Sequence, residues 1–201
     1  GTVVLDPTAN SGNCDITQAG TLTVSGSTDL TAGTGNITLT DPTNDLGIFS
    51  ATADGITVAD GVGGLTLGDI DAGGLFNATS TAGAIDQAEN TTIAVDGVTT
   101  LVAEEDDGNG NQVPANITLD GATNDFGGVV NVDGDNITLT DTNALTLGTV
   151  TANGNLDLQS TGDLDLGTST VGGDLTANSG NGNITQAGTL TVSGSTDLTA
   201  G

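Results

Sequence analysis

The phrase Asn-Ile-Thr-Leu begins at residue 116 and begins again at residue 136, an offset of only 20. It also occurs inside a longer phrase (36–47) that returns at 116–127, an offset of 80. The larger offset alone suits tandem immunoglobulin-like sandwiches, but a sandwich cannot restart the same unit at the smaller one. A solenoid with coils of about 19–24 residues can do so, and the larger offset then corresponds to about four coils. The spacing therefore predicts a β-solenoid.

The residues inside each phrase alternate as a pleated strand requires. Ile37 and Leu39 face one side, and the threonines between and after them face the other. Stretches rich in Gly, Asn and Asp separate the apolar triplets, as at 133–136 and 178–183. These residues tolerate the left-handed conformations that corners need. Stacked coils then enclose a narrow aliphatic interior, and the predicted fold class is all-β.

A longer repeat overlies the short one. Residues 1–33 align with 169–201 at an offset of 168, and 27 of the 33 positions are identical. We therefore expect a single solenoid segment over 1–201, made of one 168-residue period and the first 33 residues of the next. At about 4.8 Å per coil it should form a rod of about nine coils, seven or eight of them per period. No stretch resembles the polar cap that a finished solenoid requires, so we expect an uncapped fragment of a longer rod.

The composition excludes several classes of function. The chain carries 26 acidic residues and no Lys, Arg or His, for a formal net charge of −26. Without cations it cannot bind nucleic acid through a basic patch, and without His it cannot build a Ser-His-Asp or Cys-His nucleophile. No apolar run approaches the roughly 18 residues of a membrane helix. We expect no catalysis, no nucleic-acid partner and no membrane insertion. A polysaccharide-cleaving β-helix with paired carboxylates is a remote alternative.

One segment, 103–115, interrupts the rhythm and adds about eleven residues to its coil. It contains the candidate metal ligands of the chain, which are Glu104, Glu105, Asp106, Asp107, Asn109 and Asn111. From residue 107 the spacing Asp-x-Asn-x-Asn resembles the opening of a calcium loop. Gln112 stands where that loop has Gly, and Thr118 stands where it has an acidic residue. The alternatives are a calcium site and a solvated loop bulging from the rod. The fold requires no cofactor.

Outward threonines recur as Thr-x-Thr pairs, for example Thr38/Thr40 and Thr138/Thr140. Regular ladders of such pairs on a flat solenoid face can bind ice. Coil lengths vary in this sequence, however, and other triplets interrupt the ladder. Ice binding is therefore a second remote alternative.

The phrases at 16–39, 123–132 and 136–148 resemble the repeats of giant filamentous-haemagglutinin-type exoproteins of Gram-negative bacteria. The resemblance covers nearly the whole chain apart from the acidic segment. It implies a right-handed parallel β-helix, secretion, and a place outside the cell or on the bacterial surface. It also implies roles as adhesin shafts, biofilm components or toxin-delivering filaments. Repeats of this kind carry no catalytic residues to transfer.

These observations lead to one functional hypothesis and one alternative. The hypothesis is a structural shaft segment of a long, secreted, repetitive extracellular fibre or surface adhesin. Its expected partners are further copies of its own repeat in the same chain, neighbouring fibres, and cell-surface glycans. The alternative is a calcium- or glycan-binding adhesive module.

Overall fold

The chain folds into parallel β-strands that stack as a solenoid of about nine turns. The structure is a computed structural model that describes residues 8–201, and within that range it contains 24 strands and no helix. The described part consequently has no helix that could cross a membrane. The predicted all-β solenoid is confirmed.

Each turn has three straight segments, and we name the three stacks faces A, B and C, in the order in which the chain visits them. Face A contains β2 (Ile16–Thr17), β4 (Asn36–Leu39), β6 (Gly55–Asp60), β8 (Phe76–Ser80), β11 (Thr99–Asp106), β15 (Val129–Gly134), the second half of β17 (Leu145–Ala152), β20 (Thr168–Val171) and β23 (Leu190–Val192). Face B contains the first half of β7 (Leu65–Ala72), β9 (Ile85–Gln87), β13 (Ile117–Leu119), β16 (Ile137–Asp141), β18 (Leu156–Ser160), β21 (Leu175–Asn178) and β24 (Thr196–Thr199). Face C contains β1 (Thr8–Asn10), β3 (Ser27–Thr31), β5 (Ile48–Ala53), the second half of β7, β10 (Ile93–Val95), β14 (Asp125–Phe126), the first half of β17, β19 (Leu164–Asp165) and β22 (Ile184–Thr185). The remaining strand, β12 (Gln112–Pro114), lies outside the three faces.

Two long strands, β7 and β17, turn a corner without ending. Each pairs its first half with one strand of the next turn and its second half with another. Against the preceding turn, each shows a register shift that leaves Gly68 or Gly148 unpaired at the bend. A Cβ at Gly68 would lie 2.1 Å from Ser50 Oγ, and one at Gly148 would lie 2.4 Å from Asn131 Oδ1. A larger residue would therefore displace the side chain beneath it, and glycine marks the bulge.

Inward-pointing side chains form one continuous core. Ile37 pairs in register with Ile16 in the preceding turn and with Ile56 in the next. Ile37 and Ile56 are both completely buried, and so are all three phenylalanines of the chain. Burying one such side chain contributes about 1.5–3 kcal/mol relative to leaving it exposed. The stacked triplets therefore stabilise the rod along its whole described length.

The corners between faces A and B are closed by side chains that accept backbone hydrogen bonds from the next turn. Asn136 N donates to Asn116 Oδ1 (3.1 Å), and Asn155 N donates to Asn136 Oδ1 (2.9 Å). Asp174 N donates to Asn155 Oδ1 (2.8 Å), and Ser195 N donates to Asp174 Oδ1 (2.7 Å). The abundance of Asn and Asp between triplets thus has a second cause, because these corners need a side-chain acceptor as well as a tolerant backbone.

Most turns have the predicted length. The length of a turn is the difference in residue number between two residues that pair across adjacent turns. In adjacent turns Ile37 pairs with Ile56, and Phe76 pairs with Thr99. Thr99 then pairs with Val130, a longer step than either, because the acidic segment lies between them. One turn is therefore lengthened while the strands on either side keep their stacking.

The lengths of the sequence repeats are not whole numbers of turns. From Ile16 on face A, the chain returns to face A seven times, the last at Val171, and then passes face B before reaching Ile184 on face C. The 168-residue period thus equals seven turns and two thirds, and identical phrases lie on different faces. The offset of 80 carries the phrase at 36 from face A to face B in three turns and one third. That is fewer than the four turns predicted, because the lengthened turn absorbs the extra residues.

Candidate functional site

The acidic segment leaves the solenoid as an antiparallel β-hairpin. β11 follows face A to Ala103 and then continues outward, and β12 returns beside it with Glu104 opposite Pro114. Ala115 N donates to Ala103 O (2.8 Å), so the chain re-enters the turn where it left. The hairpin occupies most of 103–115, where the sequence shows extra residues, and it is paired rather than irregular.

The turn of the hairpin, 107–111, is held by two aspartate side chains. Asp107 Oδ1 accepts hydrogen bonds from the backbone N of Asn109 (2.8 Å) and of Asn111 (3.2 Å), and Asp107 Oδ2 accepts one from Asn111 Nδ2 (3.0 Å). The Asn111 amide and these backbone donors lower the pKa of Asp107 to about 2. Asp106 Oδ1 accepts two more backbone N–H groups of the turn, at 2.7 and 3.1 Å. The carboxylates therefore already serve as acceptors within the hairpin.

The six candidate ligands all belong to this hairpin but do not converge on one point. Asp106, Asp107, Asn109 and Asn111 lie in or beside the turn, where the Asn111 amide presents Nδ2 to Asp107. Glu104 and Glu105 are neighbours on β11, so strand alternation directs them to opposite sides. Across residues 8–201, no group of three or more Asp, Glu, His or Cys side chains is placed to hold a metal ion together. Calcium binding here would require the turn to exchange hydrogen bonds for metal–oxygen bonds.

The outer surface of face A carries little charge. Apart from the hairpin, Asp133 is the one exposed carboxylate on the strands of this face, as far as the structure describes them. Most other outward positions are threonines, and Thr17, Thr38 and Thr57 stack in register. Asn77 occupies the next position of the same row. The threonine ladder is therefore interrupted after three turns.

A shallow cavity of about 180 Å³ lies on face A beside the base of the hairpin. Its polar rim consists of Thr100, Asn131, Asp133, Thr149 and Thr151. These side chains offer hydroxyl, amide and carboxylate groups to a ligand, but no aromatic ring. Leu101, Val102 and Val132 complete the lining, which is mostly apolar, so a few hydrogen-bonding groups lie on an otherwise apolar wall.

An amide pair made of a half-buried glutamine and a buried asparagine links two neighbouring turns. Gln18 Nε2 donates to Asn44 Oδ1 (2.8 Å), and Asn44 Nδ2 donates back to Gln18 Oε1 (3.1 Å). Asn44 Oδ1 also accepts from Leu22 N (3.0 Å), and Gln18 Oε1 accepts from Asp41 N (3.0 Å). Asn44 is completely buried. The pair therefore satisfies backbone groups on both turns as well as itself.

The same pair is built again from Gln87 and Asn124, with amide distances of 2.7 and 2.8 Å. Ile93 N donates to Asn124 Oδ1 and Gly121 N donates to Gln87 Oε1, both at 3.0 Å. The two members are 37 residues apart here and 26 apart in the first pair, and the difference of 11 is the hairpin insertion. Sequence reasoning missed both pairs. The signal available was the phrase Thr-Asn-Asp, which occurs at 43–45 and again at 123–125.

Two buried aspartates follow the amide pairs. Asp60 Oδ2 accepts from Leu46 N, and Asp141 Oδ2 accepts from Phe126 N, each at 2.9 Å. Both residues are almost fully buried. Burial raises the pKa of each carboxyl because it disfavours the charged form, although the backbone hydrogen bonds oppose this.

A family model described as repeats of unknown function (DUF5649) matches the chain over residues 1–52, 53–133, 134–165 and 158–201. Together the four matches span the chain, and the second includes the hairpin. Comparison with curated proteins and with solved structures finds no match.

Proposed function

Since the chain belongs to this family of repeats (DUF5649), we propose that it is a structural shaft segment of a long, secreted, repetitive extracellular fibre or surface adhesin. The observation that carries the proposal is the continuous core, which repeats the same triplets through about nine turns. Such a rod supplies length and stiffness rather than a reaction centre. The proposed role is to hold or space what the fibre carries, without catalysis.

The arrangement of hydrogen bonds supports a mechanical role. Strands of adjacent turns pair along the rod, as β4 pairs with β2 before it and with β6 after it. Because each turn adds about 4.8 Å, nine turns give a length of about 43 Å. Unfolding one turn exposes the core of its neighbours, so the rod resists local opening.

The composition supports a place outside the cell. With no Lys or Arg, the chain offers no site to trypsin-like proteases. Its net charge of −26 keeps separate rods apart at low salt and favours solubility. The resemblance of its phrases to filamentous-haemagglutinin-type repeats supports the same location, on the bacterial surface or in the medium.

Surface labelling of intact cells tests this proposal. Antibodies raised against residues 8–201 should stain unpermeabilised cells that produce the protein, or detect it in the culture medium. An antibody against a cytosolic protein serves as the control for membrane integrity. Staining that occurs only after permeabilisation would overturn the extracellular assignment.

The cavity on face A favours a second candidate, a glycan-binding adhesive module. Its hydroxyl, amide and carboxylate groups match the hydrogen-bonding pattern of sugar hydroxyls. Binding to a panel of immobilised glycans should then be lost in Asn131→Ala and Asp133→Ala. It should persist in Thr38→Ala, which changes the same face at a distance from the cavity. Equal binding by all three variants would exclude this site.

A further inference from the structure

We propose that Asn109, in the turn of the hairpin, is a site of spontaneous deamidation. The fold leaves this asparagine reactive and protects the two other asparagines that precede a glycine. The co-reactant is water, and the product is an aspartyl or isoaspartyl residue at position 109. This goes beyond the shaft proposal, because it is a covalent change of a single turn, and it is independent of where the protein is located.

The chemistry begins at the bond between an asparagine and a following glycine. The backbone nitrogen of the glycine attacks Cγ of the asparagine side chain and closes a succinimide ring. Glycine favours this step because it has no Cβ to hinder the attack and its backbone is free to rotate. Three such bonds occur in the chain, after Asn109, Asn153 and Asn181. The tetrapeptide Gly-Asn-Gly-Asn is identical at 108–111 and 180–183, so the sequence alone predicts equal reactivity at these two positions.

Asn153 lies at a corner between two stacked turns, where neighbouring backbone holds the reactive bond. Asn153 N donates to Gly134 O and Gly154 N donates to Asp135 O, both at 3.0 Å. A Cβ placed on Gly154 would collide with the side chain of Asn136 in the preceding turn. The attacking nitrogen therefore has its hydrogen engaged by a carbonyl oxygen, which is too weak a base to remove it, and the bond has no room to rotate.

Asn181 is held in a similar way, although its tetrapeptide is the one found in the hairpin. Asn181 N donates to Thr161 O (3.2 Å) in the preceding turn, and Gly182 N donates to Ser179 O (2.9 Å). A Cβ placed on Gly182 would collide with the backbone of Gly162. The same tetrapeptide is thus fixed against the solenoid here and stands clear of it in the hairpin.

The bond after Asn109 lies outside the stack of turns. Gly110 N donates to Asp106 Oδ1 (3.1 Å), a carboxylate that can accept its proton as the carbon–nitrogen bond forms. Asn109 N donates to Asp107 Oδ1 (2.8 Å) rather than to another turn of the solenoid. Its two chain neighbours apart, no atom of residues 8–201 lies within 4 Å of a Cβ placed on Gly110. The bond can therefore rotate without breaking a contact of the solenoid.

The reaction balances with water alone. As Gly110 N bonds to Asn109 Cγ, its proton passes to Asp106 Oδ1. The bond between Cγ and Nδ2 then breaks, and Nδ2 leaves as ammonia, taking up the proton that Asp106 held. Water next hydrolyses the ring at one of its two carbonyl carbons, which gives either an aspartyl residue or an isoaspartyl residue whose backbone runs through Cγ. Either product adds one carboxylate to the turn.

The test follows the three bonds in one sample. The folded chain is incubated near neutral pH and digested with pepsin at low pH, and the conversion of amide to acid is measured by mass spectrometry. Asn109 should react at least about 10-fold faster than Asn153 and Asn181, because a stacked corner must first open, and a tenfold change in rate corresponds to about 1.4 kcal/mol. In urea that unfolds the chain, the three rates should converge. Equal rates in the folded chain, or a slower rate at Asn109 than at Asn181, would overturn the proposal.

Asn109→Gln assigns the modified residue, because Asn111 lies in the same turn and precedes Gln112 rather than glycine. A glutamine must close a larger ring, which forms more slowly, so modification of this turn should be almost abolished. Modification that continues at its original rate in Asn109→Gln would place the reaction elsewhere in the turn and would contradict the proposal.

Asp106→Asn tests the proton acceptor. The replacement keeps an oxygen that can accept the hydrogen bond from Gly110 N, but an amide is not a base at neutral pH. Deamidation at position 109 should therefore slow at least about 10-fold, since a positioned base contributes about 100-fold or more. Glu105→Gln, an exposed change on β11 that removes the same charge, should leave the rate almost unchanged. Equal rates in these two variants would overturn the role of Asp106.

Discussion

The same eighteen residues occur at 16–33 and at 184–201, and the two copies differ in what covers them. The backbone forms strands in both, at Ser27–Thr31 in the first copy and at Thr196–Thr199 in the second. Burial differs, because Leu30 is 4% exposed and Leu198 is 47% exposed. Strand formation thus follows from the phrase and from the turn on which it rests. Core formation requires the following turn as well.

The largest expected difference between the two copies is in their leucines. Leu30→Ala should lower the free energy of unfolding by about 2–5 kcal/mol, because it leaves a cavity in a packed core. Leu198→Ala should lower it by less than about 1 kcal/mol, because its side chain is already half in solvent. Urea unfolding followed by circular dichroism measures both. Equal losses would show that the second copy is covered in solution.

A smaller difference is expected for the glutamines. Gln18→Ala removes one of the two acceptors of Asn44 Nδ2, which keeps Ala59 O, and it leaves Asp41 N without its acceptor. This should cost about 1–3 kcal/mol. Gln186→Ala removes an exposed side chain and should change stability by no more than about 0.5 kcal/mol. The same unfolding measurement applies. If Gln18→Ala were as mild as Gln186→Ala, the buried pair would contribute nothing net to stability.

Two turns inside the rod hold a buried carboxylate each, whereas the aspartate of the turn formed by residues 184–199 is exposed. Asp60 and Asp141 have a raised pKa in the folded chain. Their protonated forms stabilise the fold at low pH, and this stability is lost as the pH rises through the raised pKa. Asp41, Asp107 and Asp174 have a lowered pKa. Their contribution is present above the unfolded value of 3.8 and is lost as the pH falls through the lowered value, about 2 for Asp107. The melting temperature should therefore rise as the pH falls from 7 to about 4, and fall below that.

The variant with both Asp60→Asn and Asp141→Asn tests the upper part of this profile. Its melting temperature should depend less on pH between 4 and 7, because the two buried groups no longer titrate. The variant with both Asp157→Asn and Asp197→Asn, exposed changes on face B, provides the matched control for the loss of two charges. A double variant with the slope of the control would show that the buried carboxyls do not set the profile.

The smallest effect is expected at the acidic hairpin, which neither copy of the phrase contains. Calcium should raise the melting temperature slightly, and sodium chloride at equal ionic strength should reproduce the rise, since the turn carboxylates already accept hydrogen bonds. Replacing Glu104–Asp107 by Ser should leave the shift almost unchanged. A larger shift that is specific to calcium and is abolished by this replacement would establish a metal site.

The fold was predictable because its cause is local and repeated. Alternating triplets such as Ile37 to Leu39 determine which side chains are buried, and the short offset between the phrases at 116 and 136 determines the turn length. The face on which each phrase lies was not predictable. The face depends on the bulges at Gly68 and Gly148 and on the lengthened turn. Each of these changes, by a few residues, the position along the chain at which the next face begins.

The candidate sites were less accessible to sequence reasoning than the fold. The acidic segment was located from its composition, but its pairing was missed, because a five-residue turn with glycines at 108 and 110 has no short hairpin signature. The Gln18–Asn44 contact joins residues 26 apart whose side chains meet only after stacking. Such a contact depends on how the turns stack, and the sequence alone offered only the recurring phrase Thr-Asn-Asp, at 43–45 and 123–125, as a signal.

Because the 168-residue period equals seven turns and two thirds, successive copies of the repeated phrase face different directions around the rod. Each further period would rotate the phrase by another two thirds of a turn, so three periods, or twenty-three turns, bring it back to its starting direction. A receptor or antibody specific for the phrase would therefore find it facing three directions around the axis of the rod. A rod built in this way would have no single side that carries the phrase. It would present the phrase on each of the three faces in turn.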